Sequence, residues 1–437
     1  MCVIAAWGAE GCQGVGPILT RVGANGRLLR VRLHPLPVLR PPGALASRVA
    51  SPPYDVVSRS EAAALARDNP LSFLHVGRAE IDLPETVDAH DPRVYREARR
   101  ALDRLVAEGA LRRAAPALYL YREVMAGRAQ IGVVGGVHVD DYAADVIRKH
   151  ETTRPDKEDD RTRHLLALAA HAEPVLLLYR GRPEIDRLVV AATAAPPLYD
   201  FATADGVAHT VWRVDDPAPY ERAFERVPQA YVADGHHRSA SAWRAARELR
   251  ARHTGPAREE EYDWFPAALV PADQLRILAY NRVVTDLAGR APAEVLAHLG
   301  RVGRLAVTDD PVPPRPATFC VYLGGRWHRL ELAEDSIDRS DPIRALDVSL
   351  LQERVLGPVL GIADQRTDRR IDFVGGIRGA RALAARVDSG EAALGISLHP
   401  TTVEQLMAVS DAGHIMPPKS TWFEPKLLSG LFVHPFA

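Results

Sequence analysis

Cysteine is scarce in this chain: Cys2, Cys12 and Cys320 are the only three in 437 residues, at spacings that build neither a zinc knuckle nor a disulfide framework. A reducing, cytoplasmic setting is the expectation. A basic surplus is missing as well. The formal net charge of -1 argues against a dedicated nucleic-acid binder, which needs excess Lys and Arg to displace counterions, so DNA is not expected as a partner. No apolar run approaches the length needed to cross a bilayer, and no membrane partner is expected. Met1 to Thr20 interrupts its apolar residues with Glu10, Gln13 and glycines, so it does not read as a signal peptide, and residues 1–30 are expected to form a loose extension. Several site signatures are also absent: GxxxxGK[ST], a GxGxxG following a strand, GxSxG and HExxH. There is no fixed-period repeat and no low-complexity tract.

What is present is an ordinary folded composition, 25% charged and 47% hydrophobic, in a chain long enough for two or three domains. Ser58-Arg59-Ser60-Glu61 has the spacing of a capping box, and Asp91-Pro92 opens a second helix that closes near Gly109. Pro116 to Val124 and Gln130 to Asp140 read as a hairpin around Ala126-Gly127. Helical patterns follow over Asp141 to Arg148 and Lys157 to His171, and from Pro174 to Ala240 short strands alternate with helices. The proline-rich run Asp309 to Pro316 suits a boundary. Beyond it, Thr318 to Leu332 predicts a hairpin around Gly324-Gly325. The expected fold class is α+β, with a main α/β domain over 31–310 and a C-terminal α/β subdomain over 311–437 that carries the loop Pro417 to Lys426.

The most informative run is Tyr231-Val232-Ala233-Asp234-Gly235-His236-His237-Arg238, which predicts a strand, a tight turn and a helix start. Such a turn aims backbone N–H groups and the positive end of a helix at an anion, and Gly235 admits a close approach. Arg238 can grip phosphate oxygens, while His236 and His237 can donate hydrogen bonds or bind a metal. The plain structural alternative is a helix capped by Asp234 with two histidines facing water.

Two further stretches hold candidate chemistry. Lys149-His150-Glu151-Thr152 continues into the charged run Asp156 to Arg161. It is either a solvated face or a site in which Lys149 and Arg161 hold phosphate while Glu151 accepts a proton or reaches Mg²⁺. In Met416 to Lys426, Lys419, Ser420 and Thr421 could touch phosphate, and Trp422 or Phe423 could stack on a base; a loop pinned by its aromatics is the alternative. Pro52-Pro53-Tyr54-Asp55 could present a phenol and a carboxylate to a substrate, but a structural turn is the favoured reading.

Taken together, the Asp234 to Arg238 turn, Lys149-His150-Glu151-Thr152, Ser51-Pro52-Pro53-Tyr54-Asp55 and Met416 to Lys426 resemble the domain-of-unknown-function family 1015 over about Leu33 to Phe436. The turn is also similar to that of the free serine kinases of the ParB/sulfiredoxin-like fold. This resemblance implies a ParB/sulfiredoxin-like nucleotide-binding core with additional mixed α/β subdomains, and ATP or ADP with Mg²⁺ as cofactors. It further implies phosphates on Gly235, His237 and Arg238, and an activating glutamate, a role that Glu151 fills by its chemistry. Asp234, Glu151 and His236 are then the expected catalytic residues, with Asp234 and Glu151 as metal ligands. Lys149, Arg161, Lys419, Ser420 and Thr421 complete the expected nucleotide contacts.

The function expected from these features is a nucleotide-dependent phosphotransferase acting on a small hydroxyl metabolite, with free serine the first candidate. The alternatives are a phosphatase acting on a small phosphate ester and a non-enzymatic ParB-like regulator that binds nucleotide. Self-association is compatible with the sequence and left open by it.

Overall fold

Two helix starts and one hairpin fall where the sequence supplies the signals. Ser58 accepts a hydrogen bond from the Glu61 backbone and Glu61 accepts one from the Ser58 backbone, so the expected capping box opens the helix Arg59–Ala66. Asp91 caps α1 (Pro92–Ala107), and Gly109 just beyond it has a left-handed φ of 70°. The hairpin also forms as expected. Strands β1 (Arg112–Met125) and β2 (Arg128–His138) pair antiparallel across Ala126 and Gly127, whose φ values of 49° and 76° match the twist of a two-residue turn.

The computed structural model describes residues 30–256 and 258–436, and the extension expected over residues 1–30 lies outside them except for Arg30. Among the described residues no helix is long and apolar enough to cross a membrane. The chain divides into two units: one holds the residues up to Arg148, Thr153–Gln274 and Pro425–Ala437, the other Lys149–Thr152 and Leu275–Glu424.

The first unit is built on a mixed sheet. Strands β3 (Val175–Tyr179), β4 (Ala230–Asp234) and β5 (Trp264–Pro271) form its centre, with β3 antiparallel to β4 and parallel to β5. All five residues of β3 are buried, as a strand covered on both faces requires. From β5 the sheet continues through β2 and β1 to Ala208–Val214 and Tyr199–Ala202. Two helices differ from expectation. The first spans only Val139–Ala143, because Asp145 turns left-handed at φ 56° and Ile147–Arg148 joins the sheet beside β4. The second, α2, runs Pro155–Leu168 and stops at Ala169 (φ 47°), after which Ala170–His171 pairs with His434–Pro435 near the chain end.

The second unit is organised around an antiparallel sheet of six strands. Its order is Arg304–Val307, Arg326–Glu331, Thr318–Leu323, Leu394–Leu398, Tyr280–Val284 and Ile371–Gly375. The hairpin at Gly324-Gly325 is present, both glycines having positive φ. The proline-rich run Asp309 to Pro316 joins two strands of this one sheet. The architecture is therefore mixed α/β throughout.

A buried acid in the second unit predicts a pH dependence of stability. Asp347 is 5% exposed; one oxygen accepts a hydrogen bond from the Ala317 N–H at 2.8 Å, and the other has no partner among the described residues. Burial pushes this carboxyl up to about 7, against the opposing Ala317 hydrogen bond and Arg339. Because the folded value lies above the unfolded one, stability present at low pH is lost as pH rises from the ordinary carboxylate range toward 7. Asp347→Asn is expected to stabilise the protein by on the order of 2 kcal/mol more at pH 8 than at pH 5. Urea melts of both proteins at the two pH values check this.

Candidate functional site

The Asp234 to Arg238 turn owes its shape to a bulge and a glycine. Pairing between β4 and β3 slips between Val232 and Asp234, which re-aims the strand end. Gly235 then takes φ 98° and ψ 34°, a left-handed conformation that side chains disfavour. A Cβ at this position would stand 3.0 Å from Arg238 Nε, so the missing side chain also lets the guanidinium fold back over the turn. Helix α3 (His236–Arg252) follows. Its first ladder bond runs from the Ser239 N–H to the Gly235 carbonyl at 2.9 Å, so the N–H groups before Ser239 lie outside the ladder, at the positive end of the helix.

Cations neutralise the acid at the strand end. Asp234 Oδ2 accepts from Arg238 Nη2 at 2.6 Å, and Oδ1 accepts from Lys426 Nζ at 2.9 Å. Burial would raise this carboxyl, but Lys426 and Arg238 outweigh it and hold it well below the usual range. Burial likewise opposes the Arg238 charge and is overcome by Asp234, Asp55 and Glu173. Arg238 Nη1 also donates to the Pro174 carbonyl. His237 Nε2 accepts from the Arg154 N–H at 3.1 Å, which fixes a neutral ring with its proton on Nδ1. Burial lowers the His237 pKa in the same direction. Since Arg154 is the N-cap residue of α2, this bond ties the start of α2 to the start of α3.

Beside the turn lies a cavity of about 40 Å³, room for roughly two or three water molecules. Tyr54, Arg161, His164, Glu173, Arg238 and Ser241 are among the residues that line it. Arg161 lies 4.1 Å over the Tyr54 ring and gives Nε and Nη2 to Asp160. Burial works against the charge on Asp160, yet Arg161 and the hydrogen bonds from His90 and Tyr95 hold that carboxyl down to about 2. Glu173 is different. Burial raises its carboxyl, opposed by Arg238, and its Oε2 stands 4.0 Å from Arg238 Nε. Neither of these two buried atoms has a hydrogen-bond partner among the described residues.

Of the expected site residues, Asp234, Gly235, His236, His237, Arg238 and Arg161 belong to the first unit, while Lys149, Glu151, Lys419, Ser420 and Thr421 belong to the second. Within the second, the Met416 N–H donates to the His150 carbonyl at 2.8 Å and His150 Nε2 lies 3.3 Å from Thr421 Oγ1, so two of the sequence motifs meet there. Ser420 Oγ donates to the Pro417 carbonyl at 2.6 Å and Thr401 Oγ1 donates to the Ser420 carbonyl at 3.0 Å, bonds that shape the loop itself. Lys419 is left-handed at φ 55°, and its ammonium lies 5.2 Å from the Tyr280 ring centre. The Lys419 carbonyl accepts from Arg282, a fully buried guanidinium.

Sequence reasoning assigned no role to Glu173 or Lys426 and favoured a turn for Tyr54. Lys426 stood inside a quoted motif, but nothing local linked it to Asp234, 192 residues away. Both oxygens of Asp234 are engaged by cations, so this carboxylate does not fit the Mg²⁺ ligand expected of it. A phosphate group fits better, since the helix start, the His237 Nδ1 proton and the two cations are all donors.

The chain belongs to the family described as "Protein of unknown function (DUF1015)", whose model matches residues 33–349. No curated protein matches it. Among solved structures it is similar to SbnI with a C-terminal truncation from Staphylococcus aureus, at 14% identity and a TM-score of 0.37, over 69% of this chain and 87% of that one. It is also similar to a free serine kinase in complex with AMP, at 13% identity and a TM-score of 0.32, over 66% and 86%. A conserved hypothetical protein from Pyrococcus furiosus matches at 12% identity and a TM-score of 0.31, over 66% and 90%.

Proposed function

We propose that the protein is a nucleotide-dependent phosphotransferase that acts on a small hydroxyl metabolite, with free serine as the first acceptor to test. The observation that carries this reading is the turn itself. Gly235 in a left-handed conformation starts a 17-residue helix whose first-turn donors stand beside Arg238 and Lys426. Such a constellation suits a transferring phosphate, whose chemistry asks for positioning and charge stabilisation more than for covalent help. His237 contributes its Nδ1 proton as a further donor. The same reading takes the sheet of the first unit as a ParB/sulfiredoxin-like core that holds ATP or ADP. Any Mg²⁺ would arrive with the nucleotide and need ligands other than Asp234.

Incubation of the full chain with ATP or ADP, Mg²⁺ and serine is expected to yield phosphoserine. Release of free phosphate from serine-free reactions or from added phosphoserine would replace transfer by hydrolysis. If no nucleotide raises the melting temperature, the reading fails at its first step, since a ligand of the native state must stabilise it.

A further inference from the structure

Glu173 and Arg238 present a gap of defined size. Glu173 Oε2 and Arg238 Nε are buried and 4.0 Å apart, and neither has a hydrogen-bond partner among the described residues. Leaving a buried acceptor and a buried donor unmet is costly, so such atoms in a native protein call for a partner that the side chains around them do not supply. The spacing says what. One oxygen can lie about 2.8 Å from both atoms at an angle near 90°, which is normal hydrogen-bond geometry. A hydroxyl there donates to the carboxylate and accepts from the guanidinium.

We propose that this gap is the seat of the acceptor hydroxyl, that Glu173 is the catalytic base, and that the acceptor is a small hydroxy acid. The inference rests on the phosphotransferase reading and deepens it. The cavity of about 40 Å³ has room for a hydroxyl-bearing end. Arg161, a cation on the same wall with Nε and Nη2 already bonded to Asp160, favours an acceptor that carries a carboxylate. In the step, the acceptor O–H proton passes to Glu173 Oε2 and the acceptor oxygen bonds to the terminal phosphorus of a nucleoside di- or triphosphate. The bridging P–O bond breaks, and its electron pair leaves on the shortened nucleotide.

The groups facing Glu173 are Arg238 from α3, Arg161 from α2, Asp55 and Tyr54 from the turn that precedes the first capped helix, and the Ser429 hydroxyl near the C-terminal end of the first unit, which favours the charged carboxylate. Burial within this set raises its carboxyl, so the acid limb of the pH–rate profile is expected above the ordinary carboxylate range.

The test compares the full chain with Glu173→Gln, which keeps the shape and removes the base. Turnover with serine is expected to fall at least about 10²-fold, the acid limb to vanish, and the nucleotide-induced rise in melting temperature to stay within error. Serine binding, followed by calorimetry without turnover, is expected to weaken at least about tenfold. Turnover or serine affinity within threefold of the original would overturn the seat, as would an original protein that transfers phosphate to serine but shows no acid limb. If the original protein transfers nothing yet loses serine binding on Glu173→Gln, the phosphotransferase reading falls and the seat stands. No serine binding by the original protein removes the seat.

Discussion

Arg238→Ala is expected to lower phosphoryl transfer by at least about 10²-fold, the usual cost of losing one cation that meets transition-state charge. It should also destabilise the first unit by about 3–5 kcal/mol, because the substitution strips one partner from a buried ion pair. Asp234 would keep only Lys426, and the Pro174 carbonyl would lose its donor. Steady-state kinetics and denaturant melts measure the two effects separately. Arg238→Lys separates them further: lysine keeps a charge for Asp234 but cannot reproduce the fork or reach several acceptors in one plane. Stability is therefore expected to recover more than turnover. A loss of turnover below threefold for Arg238→Ala would argue that the turn is merely a capped helix.

The second large effect is expected from Gly235→Ala. At φ 98° an added side chain costs about 1–3 kcal/mol of backbone strain. The new Cβ would also press on Arg238 Nε at 3.0 Å, pushing the guanidinium from the position that serves both Asp234 and the cavity. Gly235→Asn distinguishes the causes, since asparagine tolerates left-handed backbone while carrying the same Cβ. If strain dominates, asparagine should recover much of the melting temperature. If displacement of Arg238 dominates, turnover stays low in both variants, with loss of about 10-fold or more.

Features encoded by adjacent residues were legible in the sequence. The capping box at Ser58, the hairpin at Ala126-Gly127 and the strand, turn and helix around Gly235 each depend on residues a few positions apart. Features that depend on distant partners were not. Nothing in the pattern around Asp141 to Arg148 announces that Ile147 will pair with Ala230 and so leave the helix early. The position of Glu173 beside Arg238 was invisible for the same reason: it sits in the short stretch Ala172-Glu173-Pro174, with no motif around it. Its interest comes only from Arg238, brought beside it by the antiparallel pairing of β3 and β4. For Asp234 the sequence read the residue and misjudged its company, because a lone acid beside a glycine looks available to a metal until two cations are found on it.

The chain leaves the first unit after Gln274 and re-enters it at Pro425, and this has a consequence during synthesis. Lys426, the partner of Asp234, is made about 150 residues after the first unit's last preceding segment. A nascent chain paused anywhere in that interval carries the Gly235 turn with one of its two cations. The whole intervening unit is therefore synthesised before Asp234 can gain its second cationic partner.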